Sequence, residues 1–260
     1  MSDKELTTPI QDEKVIVLTE GEIVLRYQKS ILLKIAKIRY ERFENEEYQY
    51  SILPYYDVID GLPLSIFQGL PGIDLSLRRP VYYRVNMIPV YVSERSPSEN
   101  RVNLKSLLKQ AGMTYYNRLE WMIRTNYYYM GDSFVTLRLD YPYKTEVRNK
   151  NSLSFLTSVL SLLGSREKIE IEGVLYQEKE RPTLIKTYIS QYQNLIARIR
   201  KNVVTGQEAG KKKGNYRGRK KIKIDVPLLN QLTEEGKTEK EIAAILQISR
   251  TTLYRYRKEN

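Results

Sequence analysis

Between Glu20 and Phe43 apolar side chains fall at Ile23, Tyr27, Ile31, Ile35, Ile38 and Tyr40, with Arg26, Lys29, Lys34, Lys37 and Arg39 between them. Spacings of three and four residues predict one amphipathic helix packed on a core. Tyr48 to Pro80 is broken by Pro54, Gly61, Pro63, Gly69, Pro71, Gly72 and Pro80 and reads as irregular, with short strands or turns. Val81 to Val92 is rich in Val, Ile and Tyr, which predicts one or two strands around Pro89. Ser96-Pro97-Ser98-Glu99 has the form of a helix start, and that helix should run to Ala111 and stop at Gly112. A second helix fits Asn117 to Arg124, and Ser133 to Leu139 alternates as a strand does. Strand, helix, helix, strand predicts an α/β layer. Ser152 to Leu163 is an apolar run ending at Gly164, read as a helix, and Ile169 to Tyr176 is read as a strand.

Thr183 to Val204 is a long helical pattern with Leu184, Ile185, Tyr188, Tyr192, Leu195, Ile196 and Ile199 along one side. Thr205 to Lys223 is poor in apolar residues, contains Gly206, Gly210, Gly214 and Gly218, and carries 8 basic side chains from Lys211 onward. It reads as a flexible cationic linker. Three short helices fit the remainder. Pro227 opens the first, Leu228, Leu229 and Leu232 give it an apolar face, and Gly236 ends it. Thr238 with Glu241 forms a capping-box pattern for the second, whose inner face is Ile242, Ala243 and Ile245 or Leu246. Ser249 can cap a third helix bearing Arg250, Thr251, Thr252, Leu253, Tyr254, Arg255, Tyr256 and Arg257. Three helices of this length, the last dense in Arg, Thr and Tyr, match the helix-turn-helix plan, in which the last helix lies in the major groove.

Composition narrows the chemistry. The 260 residues include no Cys and no His. Cys/His zinc sites, thiol nucleophiles, Ser-His-Asp triads and disulfides are thereby excluded, and only a carboxylate-held metal stays open. No cofactor, metal site or small-molecule ligand is evident. No run approaches the length of a membrane span, and Met1 to Gln11 is polar, so the expectation is an intracellular protein without membrane contact. The net charge of +12 is concentrated: Arg198 to Asn260 holds 17 Lys/Arg against 7 Asp/Glu. A basic segment on a near-neutral body is the mark of polyanion binding. The 22 tyrosines lie mostly in that body and read as core and rim residues.

The segment GRKKIKIDVPLLNQLTEEGKTEKEIAAILQISRTTLYRYRKEN, Gly218 to Asn260, resembles the DNA-binding domain of serine recombinases of the resolvase and Hin invertase type. Gly218-Arg219-Lys220, Gly236, Ile242-Ala243 and Ser249 through Arg255 carry the likeness. The resemblance implies double-stranded DNA as partner. It places Arg219, with Gly218 and Lys220, in the minor groove. Thr251 and Arg255 would read bases, while Arg250, Thr252 and Tyr254 would hold the backbone and Ser249 would cap. Gln247 departs from the pattern, in a turn where Gly or Asn adopts a left-handed conformation more easily.

A weaker resemblance extends upstream. Asn194 to Arg219 is similar to the end of the family's long dimerisation helix and its linker. Gly131-Asp132-Ser133-Phe134-Val135 through Leu139-Asp140, and Tyr91 to Gly112, resemble parts of its catalytic domain. That domain needs a serine nucleophile and arginines on the scissile phosphate. Here the Tyr-x-Arg-x-Ser order is missing: Tyr91 is followed by Val-Ser-Glu-Arg-Ser, so Ser93 or Ser96 with Arg95 would be a displaced set. Tyr82-Tyr83-Arg84-Val85-Asn86 keeps the arginine but has Asn for Ser, and the family's two later arginines fall on Tyr141 and Lys144. Lysine does not replace a bidentate fork on phosphate. No catalytic residue is therefore assigned.

The expected fold is an α/β core domain with a long connecting helix, followed by a small all-α helix-turn-helix domain. The expected division is 1–80, an extension with the amphipathic helix; 81–182, a recombinase-like core; 183–204, a dimerisation helix; 205–223, linker and arm; and 224–260, the DNA-binding domain. The expected function is a homodimeric, sequence-specific DNA-binding regulator or architectural factor at an inverted repeat. It would lie in the cytoplasm on the nucleoid, or in a host cell if it belongs to a phage or mobile element. Two other readings stand beside it: an active serine recombinase performing DNA recombination with rearranged catalytic residues, and an RNA- or membrane-binding protein using only the linker.

Overall fold

The computed structural model describes residues 9–10, 13–28, 30–213 and 224–259. It divides into two compact units, residues 1–199 and 200–260. The first has α/β character and ends in a long helix; the second carries a small helical domain.

The first unit is built on strands β1 (Val15–Tyr27), β2 (Ile31–Phe43), β3 (Tyr48–Pro54), β4 (Tyr82–Val85) and β5 (Phe134–Leu137). They form one antiparallel sheet in the order β4-β3-β2-β1-β5. Its helices are α1 (Tyr56–Ile59), α2 (Val90–Ser93), α3 (Leu104–Gln110), α4 (Arg118–Thr125), α5 (Ser152–Ser165) and α6 (Arg181–Lys212). A short hairpin, β6 (Ile169–Ile171) and β7 (Val174–Tyr176), turns through Glu172 and Gly173, both at positive φ. The primed turn that joins two-residue hairpins needs that geometry.

Glu20 to Phe43 is not a helix. It is the β1–β2 hairpin, turning at Gln28 with φ +50°. The helical spacing has a physical origin in a β-bulge. Ile23 pairs with Ala36 and Val24 with Lys34, so Ile35 is the extra residue on β2. Ile31, Leu33 and Ile35 point into the core before the bulge and Ala36 and Ile38 after it, which breaks the period of two. On β1 the run Gly21 to Leu25 is buried on both faces and shows no alternation. Ile23, Leu25 and Phe134 share the main core with Leu119 and Met122 of α4, Leu160 and Leu163 of α5, and Ile185 and Ile189 of α6. Val24, Val135 and Leu137 point the other way and are covered by Leu32, Tyr141 and Tyr143. The expected boundary at residue 80 does not separate two parts of the sheet: β1, β2 and β3 precede it, and β4 and β5 follow it.

Other expectations shift locally. The helix expected over Ser96–Ala111 is confined to Leu104–Gln110, because polar residues before it bond locally: Ser98 Oγ accepts from Asn100 N at 3.4 Å, and Asn103 Oδ1 from Arg101 Nε at 2.8 Å. Gly164 does not end α5. It sits inside the helix, where a Cβ would lie 2.4 Å from Leu32 O, so glycine permits close packing of helix on strand. The long helix expected over Thr183–Val204 spans Arg181–Lys212 and takes in Gly206 and Gly210. The linker expected from Thr205 therefore begins with helix, because Gln207, Glu208, Ala209, Lys211 and Lys212 favour helix against two glycines costing about 1 kcal/mol each.

The start of α6 is fixed by a buried guanidinium. Arg181 is fully buried and donates from Nη1 to Leu163 O at 2.8 Å and from Nη2 to Glu167 O at 3.0 Å. Its Nε lies 3.0 Å from Asp57 Oδ2, an ion pair that lacks hydrogen-bond alignment. Asp57 also accepts from Arg166 Nε at 3.1 Å. Burial pushes the Arg181 guanidinium below its ordinary pKa, against the opposing field of Asp57.

Candidate nucleic-acid interface

The carboxyl-terminal helices are α7 (Val226–Glu234), α8 (Glu239–Ile245) and α9 (Arg250–Glu259). Local chemistry fixes each end. Asp225 Oδ1 accepts from Leu228 N at 3.2 Å with Pro227 in the first turn, and Gly236 leaves α7 at φ +71°. Thr238 and Glu241 form the expected capping box: Thr238 N donates to Glu241 Oε2 at 2.8 Å, and Glu241 N donates to Thr238 Oγ1 at 3.4 Å. The hydrogen bonds from the Thr238 side chain and backbone hold the Glu241 carboxyl below its ordinary pKa. Ser249 caps α9, its Oγ accepting from Thr252 N at 3.0 Å.

Leu229, Leu232, Ile242, Ala243 and Leu253 make the small core. Of the two alternatives on α8, Leu246 packs against it and Ile245 is exposed. The turn between α8 and α9 passes through Gln247 at φ +52°, the left-handed conformation anticipated there. Ile248 N then donates to Ala243 O at 3.0 Å, which closes the turn.

Leu253 faces inward, and this sets the outward face of α9. Arg250, Thr251, Tyr254 and Arg255 are all exposed. Positions 250 and 254, and 251 and 255, are one helical turn apart. Among the described residues none of these four side chains has a hydrogen bond or an ion pair. With its side chains an α-helix is about 10–12 Å across, which fits a major groove about 12 Å wide. Ser249 and Thr252 are committed elsewhere, with Oγ and Oγ1 2.8 Å apart across the helix start. Arg257, which the sequence grouped with the basic side chains of this helix, ties the domain together instead: Nη2 donates to Thr233 Oγ1 at 3.1 Å and Nη1 to Glu239 Oε1 at 3.4 Å. Gly218, Arg219 and Lys220 lie outside the described residues.

The displaced nucleophile set is not assembled as the sequence pattern would require. Arg95 is fully buried, stacks at 4.2 Å on the Tyr91 ring, donates from Nη1 to Tyr91 O at 2.9 Å, and pairs with Asp132. It is an internal clamp, and a phosphate could not reach it. Tyr91 OH is 2.9 Å from Thr136 Oγ1, and burial pushes that phenol up to about 12. Ser93 and Ser96 donate back to Val90 O at 3.0 Å and Val92 O at 2.7 Å, as turn serines do. The arginine that touches Ser96 is Arg118, at 3.1 Å, and it is held in turn by Pro97 O at 2.9 Å. In the second motif Arg84 donates to Gly72 O at 2.8 Å, and Asn86 Oδ1 accepts from Tyr48 N at 3.0 Å. Among the described residues no helix is long and apolar enough to cross a membrane, and no cluster of acidic side chains could hold a metal ion.

Residues 218–260 match the family model of the helix-turn-helix domain of resolvase. The match covers the carboxyl-terminal domain and none of the sheet that precedes it. No curated protein and no solved structure matches the chain.

Proposed function

We propose that the chain is a sequence-specific DNA-binding protein, acting as a homodimeric regulator or architectural factor at an inverted-repeat site. The observation that carries this is the exposed face of α9, Arg250, Thr251, Tyr254 and Arg255, without hydrogen bonds or ion pairs among the described residues and presented by a domain of resolvase type. Arg255 forks onto a guanine edge and Thr251 bonds a base or meets a thymine methyl. Arg250 and Tyr254 hold phosphates, and Ser249 with Thr252 orients the helix start against the backbone. Arg219, flanked by Gly218 and Lys220, enters the minor groove. Dimer symmetry then matches the symmetry of the site. Support for self-association comes from α6, where Ile199, Val203 and Val204 are exposed on a helix that otherwise packs its apolar side inward. This reading assigns no strand cleavage: Arg95, beside Ser93 and Ser96 in sequence, is buried and paired with Asp132, and Arg118 at Ser96 is held by Pro97 O.

Selection of genomic fragments on the purified protein, followed by a denaturing gel of the bound DNA, tests the reading. Enriched fragments should share an inverted repeat and carry no attached protein. Arg255→Ala should relax specificity at one base pair by roughly 1–3 kcal/mol. Neutralising Lys211 to Lys213 should weaken all sequences alike and flatten the salt slope by about 0.9 for each phosphate that is no longer neutralised. Protein that stays covalently attached, and no longer does so when Ser93 and Ser96 are replaced by Ala, would establish a recombinase instead. Binding indifferent to Arg255→Ala but abolished by the lysine changes would establish polyanion binding through the linker alone.

A further inference from the structure

Helix α5 has 14 residues, SLSFLTSVLSLLGS, and not one is charged. Its inner side, Leu156, Val159, Leu160 and Leu163, belongs to the main core. The opposite side would ordinarily carry Lys and Glu for solvent. It carries hydroxyls instead, and Ser154, Thr157, Ser158 and Ser161 line a cleft of about 1020 Å³. That volume is at the upper limit of small-molecule sites, roughly 300–1,000 Å³.

The cleft has three kinds of wall. Leu32, Val135, Leu137 and the Tyr141 and Tyr143 rings make one side apolar and aromatic. The hydroxyl wall is pre-committed as donor: Thr157 Oγ1 donates to Leu153 O at 2.8 Å, Ser158 Oγ to Ser154 O at 2.8 Å, and Ser161 Oγ to Thr157 O at 2.9 Å. Each hydroxyl has one proton, so what it offers the cleft is lone pairs. These accept from an N–H or O–H. The third wall is cationic. Among the described residues Lys144 is exposed and has no ion pair, and the Arg26 side chain meets the Tyr128 ring at 5.4 Å with no ion pair. Arg148 is paired loosely with Glu146 at 3.9 Å, so the surplus is positive. Two further groups are settled and not available: Lys34 stacks on Tyr143 and pairs with Glu22, whose Oε2 accepts from Tyr143 OH at 3.2 Å.

We infer that this cleft is a binding site for a small organic anion: a ring-bearing apolar body, one acidic group for Lys144 and Arg26, and one N–H or O–H donor for the α5 hydroxyls. The site lies wholly within the first unit.

Anilinonaphthalene sulfonate has that chemistry, with two aromatic parts, an N–H and a sulfonate, and its fluorescence rises in an apolar site. Titrated into the full chain it should saturate at one molecule per chain. Ser158→Trp fills the cleft from α5 and should abolish that phase. Lys144→Glu, at an exposed position, should weaken it about tenfold by reversing the charge facing the sulfonate. Val174→Ser with Leu175→Ser, which removes an exposed apolar patch on β7, should leave it unchanged. An unsaturable signal, an affinity indifferent to Lys144→Glu, or loss of signal in the β7 variant would each overturn the assignment and mark the dye as a surface binder.

Discussion

Arg181 anchors the start of α6 to the end of α5, and its removal has a calculable cost. Arg181→Met keeps length and volume while deleting the guanidinium. Leu163 O and Glu167 O each lose a charge-assisted hydrogen bond, at roughly 1.5–3 kcal/mol apiece. Asp57 adds less than a stranded buried carboxylate would, because it is partly exposed and keeps Arg166. Recovered burial of the methionine offsets about 1 kcal/mol. The expected loss is then about 3 kcal/mol, carried by the carbonyls of the α5 terminus. Trp121, the one tryptophan, is buried in α4, so its fluorescence reports the first unit without interference from the helix-turn-helix. With a urea slope of about 2 kcal/mol/M, the unfolding midpoint should fall by about 1.5 M. Arg166→Met removes the more exposed partner of Asp57 and should cost under about 1 kcal/mol. A shift below about 0.5 M for Arg181→Met, or equal shifts for the two variants, would refute the clamp.

Three other outcomes follow. Gly164→Ala should destabilise the first unit by about 2 kcal/mol, since the roughly 1 kcal/mol of helix propensity gained is outweighed by a Cβ 2.4 Å from Leu32 O; a raised melting temperature would contradict that packing. The Glu241 carboxyl is held below its ordinary value of 4.5, so its contribution is complete above that pH and is lost as pH falls through the lower folded value. Amide exchange in α8 should therefore quicken on acidification, and Glu241→Gln should remove that dependence, while Thr238→Ala should weaken α8 by about 1 kcal/mol at neutral pH and by less once the Glu241 carboxyl is protonated. If α6 joins two copies, Ile199→Asp with Val203→Asp should give a monomer by equilibrium sedimentation at micromolar concentration, and an unchanged dimer would place the interface elsewhere.

The helix-turn-helix was legible because every signal in it is local. Pro227, Gly236, Thr238 with Glu241, and Ser249 each act within about three residues of themselves, and each occupies the cap or turn its sequence position indicates; the Asp225 cap is added by the structure. Even the awkward left-handed Gln247 could be foreseen from the missing glycine. The outward face of α9 came from the structure, where the inward Leu253 fixes the phase of the helix; the sequence grouped Arg250 to Arg257 without separating its faces. Arg257 departs from this pattern, because its partners Thr233 and Glu239 belong to other helices.

The first unit hid its structure in contacts that sequence spacing does not carry. The hairpin imitates a helix because the bulge at Ile35 moves the buried set from odd to even positions, turning a period of two into gaps of three and four. The fate of Arg95 is the sharper case. In sequence it stands between two serines and beside a resemblance to a recombinase nucleophile motif. In space its environment is made by Asp132, 37 residues away, by the Tyr129 ring at 5.0 Å and by the Tyr91 ring on the preceding helix. Aromatic faces and a carboxylate together make a neutralised, dehydrated socket for a guanidinium, and a guanidinium so held has no charge left for a phosphate. The same tyrosine and arginine content that invites a catalytic interpretation therefore holds the fold together. The guanidinium of Arg255 meets the opposite condition, exposed to solvent and without a partner among the described residues, and that difference is what favours nucleic-acid recognition by the small domain.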